Sequence, residues 1–370
     1  KMREKGLPGS IKTDHDTLAF SGCAVLEEYS KGLAAEKLRN TYLKFLRKAA
    51  LAGTLHASFN VLVRTGRTSS YGPNQQNPPR VGGYRECFIA LPDQVLCSLD
   101  YTAHELATLA QVCINLFGAS SLADAINQGL DPHLWFALRL LKTDGLSLEY
   151  AQALAILKDK DHPLFKTVKH WRQVAKVCNF GYPGGLGANT FVSYAKGYGL
   201  TISPNESNEY RKAYFAQWPM VDRYINRHLR MLANGVDRFA IRQHHTGRIR
   251  GGCTFTSAAN TFFQGLAADG IKMALWRVGK EQYANPDSPL WGTRTWNVIH
   301  DELLLRGPEA TAHEWSYEAA RIMVEAMEVY TPDVRHKVEP ALMRRWYKDA
   351  DTVHNANGRL VCWEPKEKAA

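Results

Sequence analysis

The sequence of 370 residues lacks the features that define several common protein classes. It contains no run of about 18 or more apolar residues, so we expect a soluble protein without a membrane span. Its seven cysteines form no C-x-x-C pair and no zinc-like Cys/His spacing. This argues against structural zinc and a disulfide framework, and it is typical of a reducing compartment. No signal peptide is visible, and because no initiator Met precedes Lys1, we expect a longer product.

Motifs for several enzyme classes are also missing. There is no G-x-x-x-x-G-K-[ST] phosphate loop and no G-x-S-x-G nucleophile elbow. The segment HELAT begins like a zincin motif, but Thr108 stands where the second His is required. GGLGAN lacks the third glycine of a dinucleotide fingerprint and follows a predicted helix. The sequence therefore lacks the nucleophile or the metal cage that the usual hydrolases require.

What is present is a basic but otherwise ordinary globular composition. Hydrophobic residues make up 45% and charged residues 22%, and the length predicts two or three lobes. Lys and Arg number 46 against 36 Asp and Glu, a net charge of +10. Such an excess favours a polyanionic partner, with nucleic acid ahead of an anionic membrane. Many basic proteins bind neither, so charge alone does not decide.

The first hundred residues alternate between polar and amphipathic segments. Residues 1–35 are polar and turn-rich, whereas the apolar spacing from Ala34 to Ala52 predicts a helix that ends at Gly53. Residues 64–85 are rich in Gly, Pro, Ser and Asn, which predicts a loop outside the core. Its arginines suit phosphate contacts, although a solvated loop is an equally good interpretation; they are Arg64, Arg67, Arg80 and Arg85.

Two aspartates stand at the ends of β-like apolar runs. Asp100 follows the run 95–99 and precedes a predicted helix, where it would serve as a site carboxylate or as a helix cap. In TWNVIHDELLLRG the apolar pattern predicts a β-hairpin whose bend is His300 and Asp301. If both blocks belong to one sheet, the two carboxylates can hold two Mg²⁺ ions for phosphoryl transfer.

Residues 116–240 are predicted to be largely helical. Lys169, Arg172, Lys176 and Phe180 recur at helical spacing and form one cationic face that ends in an aromatic ring. This face is either a phosphate-and-base surface or an ordinary solvated face. A later helix places the amides of Asn260 and Gln264 one turn apart, where they would contact DNA or be satisfied inside the core.

Five segments in order resemble the polymerase portion of family A DNA polymerases, the bacterial DNA polymerase I and phage group. DYTAHEL (100–106) is similar to motif A, RQVAKVCNFG (172–181) to motif B and VIHDEL (298–303) to motif C. TGRTSSYGPNQQNPP (65–79) resembles the segment ahead of motif A, and NTFFQG (260–265) resembles the N-x-x-x-Q-G helix. Each motif alone is weak, but five in family order make coincidence improbable.

The resemblance implies an α+β right-hand polymerase fold, in which an antiparallel-sheet palm carries an inserted helical fingers domain. The implied domains are the edge of a thumb (1–53), the first part of the palm (54–117), the fingers (118–245) and the second part of the palm (246–370). The implied reaction is template-directed extension of a primer 3′ end with dNTPs. The implied cofactor is two Mg²⁺ ions, for which Mn²⁺ can substitute. No proofreading exonuclease is expected in these residues.

Site roles follow from the resemblance by position. The metal ligands would be Asp100, Asp301, Glu302 and the carbonyl of Tyr101. Lys176 would act in catalysis as well as in dNTP binding. The other implied dNTP-binding residues are Tyr101, Glu105, His133, Arg172 and Phe180. The implied DNA-binding residues are Arg67, Asn74, Gln76, Asn260, Gln264 and His300.

The sequence also departs from the family pattern. Gly184 stands where motif B usually has a Tyr that orders the templating base, with Tyr182 nearby. Implied partners are primer-template DNA, dNTPs and replication accessory proteins, for a monomer in the cytoplasm of a bacterial or phage-infected cell. Two alternatives stay open, a single-subunit RNA polymerase relative and a catalytically silent DNA-binding subunit. Glu105 and the HDE of motif C speak against the first, and the retained aspartates and cations speak against the second.

Overall fold

The computed structural model describes residues 18–19, 21–79 and 83–365. Within these ranges the chain folds into helices and small antiparallel sheets, which confirms the predicted α+β class. Residues 1–17 of the predicted thumb edge, and Arg80 of the predicted phosphate-binding loop, lie outside the described residues.

The α-helices of the described part are α1 (Ala24–Lys37), α2 (Lys44–Ala52), α3 (His104–Phe117), α4 (Ser121–Asn127), α5 (Pro132–Thr143), α6 (Tyr150–Lys158), α7 (Phe165–Gly181), α8 (Ala188–Lys196), α9 (Pro204–Gln217), α10 (Pro219–Arg223), α11 (Leu229–Ala233), α12 (Phe255–Ala284) and α13 (Ala312–Glu328). The strands are β1 (Ser58–Asn60), β2 (Ser69–Tyr71), β3 (Gln94–Tyr101), β4 (Phe239–Arg242), β5 (Ile249–Cys253), β6 (Arg294–Ile299), β7 (Glu302–Pro308), β8 (Val338–Met343), β9 (Val353–His354) and β10 (Leu360–Val361).

The largest sheet has the strand order β6-β7-β3-β8 and is antiparallel throughout. Strands from before and after the helical segment therefore meet in one sheet, as the sequence predicted. Because side chains alternate along a strand, the two faces differ in chemistry. One face carries Val95, Leu99 and Leu303, which pack on α13 and the second half of α12. The other carries Ser98, Asp100 and Glu302.

A second core belongs to a helical lobe, defined here as α3 to α11 together with the first half of α12. Its fully buried residues include Phe136, Trp218 and Tyr224. Helix α12 spans both cores, since Ala258 to Leu266 pack in the helical lobe and Ile271 to Val278 pack under the sheet. This shared helix of 30 residues ties the helical lobe to the sheet.

Two predictions about the N-terminal hundred residues were wrong. Helix begins at Ala24 rather than near Ala34, and it continues through a π-helical turn (38–43) to Ala52. Gly53 ends the helix at φ 75°, as predicted. The segment 64–85 is not wholly outside the core, because β2 pairs with β1 and Tyr84 is buried. Its abundance of turn residues concealed these inward-facing side chains.

For Arg85 the sequence left open a phosphate contact or a place in a solvated loop, and its buried position contradicts both. The side chain is buried, donates hydrogen bonds to the carbonyls of Pro78 and Pro79, and lies 4.5 Å from the centre of the Trp346 ring. An arginine stem buries readily against an aromatic ring, and its guanidinium here holds loop carbonyls. Arg85 therefore stabilises the loop.

None of the helices in the described ranges is long and apolar enough to cross a membrane. All seven cysteines lie in those ranges and are free thiols, in agreement with the absence of a disulfide framework.

The proposed domain boundaries fall at recognisable places in the chain. The boundary at 117/118 coincides with the end of α3, where Gly118 takes a left-handed φ of 77°. The boundary at 245/246 falls in the turn between β4 and β5, so the two strands of one hairpin would belong to different domains. The boundaries themselves stay a prediction.

Trp315 of α13 generates a test of the core beneath the sheet. Its ring is buried, and its indole Nε1 donates to the Pro308 carbonyl at 2.9 Å. We expect Trp315→Ala to lower the free energy of unfolding by about 3–5 kcal/mol, because it leaves a cavity and an unpaired carbonyl. Chemical denaturation followed by circular dichroism measures this. Trp276→Ala, at a ring that is 67% exposed, is the matched control and should change stability by about 0.5 kcal/mol or less. Equal losses in both variants would contradict the assignment.

Candidate active site

Three carboxylates meet at one end of the central sheet. Asp100, the penultimate residue of β3, pairs in register with Glu302, the first residue of β7. Asp301 precedes Glu302 in the two-residue turn of the β6–β7 hairpin, where His300 takes a φ of 52°. Two-residue hairpins need such positive φ values, so the turn geometry presents Asp301 at the tip. The hairpin and its bend were predicted correctly.

The alternative role of Asp100 as a helix cap is wrong. Strand β3 continues through Asp100 to Tyr101, and α3 begins only at His104. The residue before α3 is Ala103, with a φ of 52° and no side-chain cap. Because Asp100 does not cap α3, its carboxylate is available to the carboxylate cluster at this end of the sheet.

Two cations stand beside these carboxylates. Lys348 Nζ lies 3.4 Å from Glu302 Oε2 and 3.6 Å from Asp100 Oδ2. Arg67 Nη2 pairs with Glu105 and lies 3.6 Å from Asp301 Oδ1. These contacts connect the loop of residues 64–85, helix α3 and the β6–β7 hairpin, which are far apart in sequence.

Glu302 is the most deeply placed of the three carboxylates. It is buried, with the Ser98 hydroxyl donating to Oε1 and Lys348 facing Oε2. A buried carboxylate costs free energy unless it is paired and hydrogen-bonded, and both requirements are met here. The charge in the middle of this otherwise apolar hairpin is thus compensated from β3 and from the C-terminal segment.

The proximity of like charges raises the affinity of Asp100 for a proton. Partial burial, followed by repulsion from Glu302, raises the pKa of Asp100 to about 6, although Lys348 opposes the shift. Burial also raises the pKa of Asp301, against the opposing influence of Arg67. A site that holds several carboxylates together against their repulsion is suited to receive positive charge.

The donor set fits Mg²⁺. Its oxygens come from Asp100, Asp301 and Glu302, and hard cations prefer oxygen ligands. In the described ranges no three His, Cys, Asp or Glu side chains already surround one point. Mg²⁺ in phosphoryl-transfer sites is commonly held by one or two carboxylates and by substrate phosphates, so a complete protein cage is not required. Lys348 and Arg67 supply the compensating positive charge in the protein alone.

The predicted cationic face lies on α7, as expected from its spacing, but one of its charges is already paired. Arg172 forms a salt bridge of 2.6 Å with Asp131, and its side chain stays 38% exposed. Asp131 also caps α5 by accepting from the His133 amide at 2.8 Å. The face therefore consists of Lys169 and Lys176 with an oriented Arg172.

His133 lies next to this face and is held neutral. Burial lowers the pKa of His133 to about 4, and Arg172 and Lys176 add to the effect against Asp131. The Asn179 Nδ2 atom lies 3.0 Å from His133 Nδ1 and 3.4 Å from the Pro132 carbonyl. Because a carbonyl can only accept, Nδ2 is the donor, so Nδ1 accepts and the imidazole carries its hydrogen on Nε2. His133 is thus a neutral N–H donor.

Phe180 stacks obliquely on His133, with 5.4 Å between ring centres. At the next residue, a Cβ on Gly181 would come within 3.2 Å of the Tyr194 ring. The pKa of the Tyr194 phenol is raised by burial, by Tyr198 and by the nearby Glu105 carboxylate. The end of α7 therefore packs near Tyr194, which lies within electrostatic range of Glu105.

The residues predicted to bind DNA are placed in different surroundings. Gln76 is buried and donates to Thr68 at 2.6 Å, and Asn74 accepts from loop amides, so both are engaged inside the loop. Asn260 donates to the Thr256 carbonyl at 2.9 Å, so its amide is satisfied within the protein, which was the alternative to DNA contact. Gln264 is half-buried and His300 is exposed. Direct DNA contact stays a prediction for all of them.

The departure at Gly184 has a physical reason. A Cβ at this position would lie 3.0 Å from Asn260 Nδ2 and 3.1 Å from its Oδ1, closer than ordinary contacts. The nearby Tyr182 is buried and donates to the Ser207 carbonyl at 2.8 Å, so its hydroxyl is engaged inside the helical lobe. The end of motif B therefore packs directly on α12.

Four residues of the site were not anticipated from the sequence. Lys348 belongs to no recognised motif, because the residues that it contacts lie on strands that are distant in sequence. Asp131 was signalled by the D-P-H segment, in which only the histidine was considered. Asn179 and Ser98 are ordinary polar residues whose role depends on their partners.

Comparison with known proteins agrees with this geometry. The sequence profile described as DNA polymerase family A matches residues 3–348. The chain belongs to DNA polymerase family A. DNA polymerase I of Helicobacter pylori is 28% identical over 341 residues, which cover 87% of this chain and 33% of that protein. DNA polymerase I of Aquifex aeolicus is 26% identical over 346 residues, covering 92% of this chain and 54% of that protein. The chain thus spans about a third to a half of these relatives.

The fold agrees with a solved family A structure. The POL domain of Pol1 from M. smegmatis, in complex with DNA primer-template and dNTP, aligns with a TM-score of 0.68. The alignment covers 94% of this chain and 58% of that one, at 24% sequence identity. This likeness confirms the right-hand polymerase fold that the motifs implied.

The raised pKa of Asp100 gives a prediction for this family A chain. Asp100 would titrate near 3.8 when unfolded and near about 6 when folded, so its protonation adds stability that is fully present below about 3.8 and lost as the pH rises through about 6. In Asp100→Asn this loss of stability with rising pH is absent, because the amide does not titrate. The melting temperature of the Asn variant minus that of the wild type, measured in EDTA, should therefore increase between about pH 5 and about pH 7.5. Asp287→Asn, an exposed site, is the control, and a difference that is constant or decreases with pH would contradict the prediction.

Proposed function

We propose that this chain is the nucleotidyl-transfer portion of a template-directed DNA polymerase, which extends a primer 3′ end with dNTPs. The observation that carries the proposal is the pairing of Asp100 and Glu302 across β3 and β7, with Asp301 in the adjoining hairpin turn. The cationic face of α7 supports it. The occurrence of the site in a family A chain supports it. So does the M. smegmatis neighbour, whose structure is a complex with primer-template and dNTP.

In this proposal Asp100 and Asp301, with the Tyr101 carbonyl and Glu302 beside them, hold divalent cations, with Mg²⁺ the natural ion and Mn²⁺ a substitute. When bound, these ions would stabilise the attacking and leaving oxygens of the phosphoryl displacement. The chain's own contribution is a rigid frame. Asp100 lies in β3 and Asp301 in the β6–β7 turn, and the other face of this sheet is packed against α12 and α13, so both are positioned before substrate arrives.

The helical lobe would hold the triphosphate. Arg172 is oriented by Asp131, Lys176 lies one turn further along α7, and His133 offers an uncharged Nε2–H. Anionic phosphate oxygens accept from all three donors. Lys176, the charged member nearest Phe180, is the proposed proton donor to the leaving pyrophosphate. Phe180 would lie against the sugar.

Glu105 is the proposed barrier to ribonucleotides. Its carboxylate is fixed by Arg67, so it cannot swing away freely from the space beside the sugar. A braced side chain excludes an extra hydroxyl more effectively than a mobile one, because the cost of moving it includes the broken ion pair. This arrangement favours a DNA polymerase over a single-subunit RNA polymerase.

The proposed domains are a palm built on the central sheet (54–117 and 246–370) and fingers built on the helical lobe (118–245), with a thumb edge at 1–53. Primer-template DNA would lie across the sheet and the loop of residues 64–85, where Arg67, Gln264 and His300 are the proposed contacts. Asn74, Gln76 and Asn260, whose side chains also bond within the protein, are the further proposed contacts.

Primer extension with Mg²⁺ tests the function. We expect incorporation of dNTPs dependent on the template and much weaker incorporation of rNTPs. Preference for rNTPs would identify an RNA polymerase, and binding of primer-template without extension would identify a silent DNA-binding subunit.

Asp301→Asn tests the role of the carboxylates. We expect extension to fall by at least about a thousandfold while primer-template affinity changes by only a few-fold, because the carboxylate serves the transition state more than DNA binding. Single-turnover extension and fluorescence anisotropy measure the two quantities. Asp287→Asn, which removes the same charge at an exposed position, should retain wild-type extension. Substantial turnover by Asp301→Asn would refute the assignment.

Phe180→Tyr tests contact with the sugar. A phenyl ring cannot replace the hydrogen bonding of a substrate 3′-OH, so we expect the wild type to discriminate against dideoxynucleotides. A tyrosine hydroxyl should relax this discrimination by about 1–3 kcal/mol, the contribution of one charge-assisted hydrogen bond.

The measurement is the ratio of kcat/KM for ddNTP and dNTP in each protein. Phe165→Tyr makes the same chemical change at the other end of α7 and should leave the ratio unaltered. An unchanged ratio in Phe180→Tyr would mean that Phe180 packs on His133 without touching the sugar.

A further inference from the structure

Lys348, in the segment that follows β8, contacts two carboxylates of the central sheet. Its ammonium group lies between Asp100 and Glu302, 3.6 Å from one carboxylate and 3.4 Å from the other. Its side chain is 31% exposed, so water screens these contacts only in part. Lys348 thus contacts Oδ2 of the same Asp100 carboxylate that the proposed function assigns to divalent cations.

The backbone around Lys348 is held firmly on its N-terminal side. Trp346, two residues earlier, is buried, and its amide donates to the Phe88 carbonyl at 2.9 Å. The Trp346 ring packs edge-on against Phe88 and Trp296, with centre distances of 5.6 and 5.3 Å. A lysine two residues from such an anchor has a restricted range of head-group positions.

The C-terminal side is held as well. The Thr352 hydroxyl donates to the Pro340 carbonyl at 2.9 Å, and the Trp363 amide donates to the Leu342 carbonyl at 2.8 Å. Both acceptors belong to β8, the neighbour of β3 in the sheet. The family match ends at residue 348, so these contacts come from residues beyond it. Lys348 is therefore fixed to the sheet that carries Asp100.

We propose that Lys348 is a built-in counter-cation of the Asp100–Glu302 pair, which competes with divalent cations for Asp100 and thereby sets the concentration at which the site fills. This inference rests on the metal-binding role of Asp100 and Asp301 in the proposed function. In the metal-free protein the ammonium group offsets repulsion between carboxylates that face each other in register. A divalent cation on Asp100 would share that carboxylate with a like charge, so Lys348 must turn towards Glu302 or solvent.

The competition has two measurable consequences. Removing the charge should strengthen binding of divalent cations to the protein alone, because an opposing cation is gone. It should also destabilise the metal-free protein, because the carboxylates lose their counter-charge, and added cation should then restore more stability than in the wild type.

The experiment measures Mn²⁺ binding without DNA or nucleotide, from the electron paramagnetic resonance signal of free Mn²⁺. We expect Lys348→Met to bind Mn²⁺ roughly two- to fivefold more tightly than the wild type, in line with a partly exposed ion pair. Lys348→Arg keeps the charge and should bind as the wild type does. Lys280→Met, an exposed lysine of α12, makes the same change in net charge away from the site and is the matched control.

A second measurement guards against misfolding. The rise in melting temperature on adding Mg²⁺ should be larger for Lys348→Met than for the wild type and for Lys280→Met. If Lys348→Met does not fold, Lys348→Gln replaces it in both measurements. Equal Mn²⁺ affinity in the Lys348→Met and Lys280→Met proteins, or weaker affinity in the former, would overturn the inference.

Asp301→Asn separates this inference from the proposed function. If Asp301→Asn weakens Mn²⁺ binding while Lys348→Met leaves it unchanged, the metal site stands and the counter-cation role fails. If Asp301→Asn leaves Mn²⁺ binding unchanged, the metal assignment fails, and the inference about Lys348 fails with it.

Discussion

The close pairing of Asp100 with Glu302 is the constraint around which the rest of the site is built. Two carboxylates in register on adjacent strands repel each other, and Glu302 is buried as well. Such an arrangement persists only if other interactions hold the strands together and other groups offset the charge. The apolar face of the same strands, packed on α12 and α13, holds the strands together. Ser98 and Lys348 offset the negative charge of the pair, and Arg67 does so at Asp301.

Helix α12 links this frame to the helical lobe. Its first half packs in the helical core and its second half beneath the sheet, so the two lobes share one rigid element. Near the start of α12, Asn260 lies against Gly184 at the end of motif B. A side chain at Gly184 would crowd the Asn260 amide, so the end of motif B and α12 pack closely here.

The segment of residues 64–85 shows how a polar loop becomes part of a site. Gln75 and Tyr84 bond each other at 2.8 Å inside it, and Arg85 is stacked on Trp346. These buried contacts stabilise the base of the loop. Arg67 extends from it to Glu105 and Asp301, so the loop braces a carboxylate on α3 and another on the hairpin. Arg67 thus serves the protein's own carboxylates, and Arg85 serves loop carbonyls.

Much of this protein was determined by local sequence. The apolar run of β3, the hairpin with its bend at His300 and Asp301, the helical spacing on α7 and the end of helix at Gly53 all reflect short-range preferences that a sequence displays directly. The five ordered motifs implied the family and the fold, and the structure agrees. The tertiary structure alone decided which partners these residues meet. Lys348 reaches Asp100, Arg67 reaches Glu105, Asp131 pairs with Arg172, and Gln76 and Arg85 turn inward. Each outcome depends on packing between distant segments, because a charged or amide side chain has the same local pattern whether it faces solvent, substrate or a buried partner.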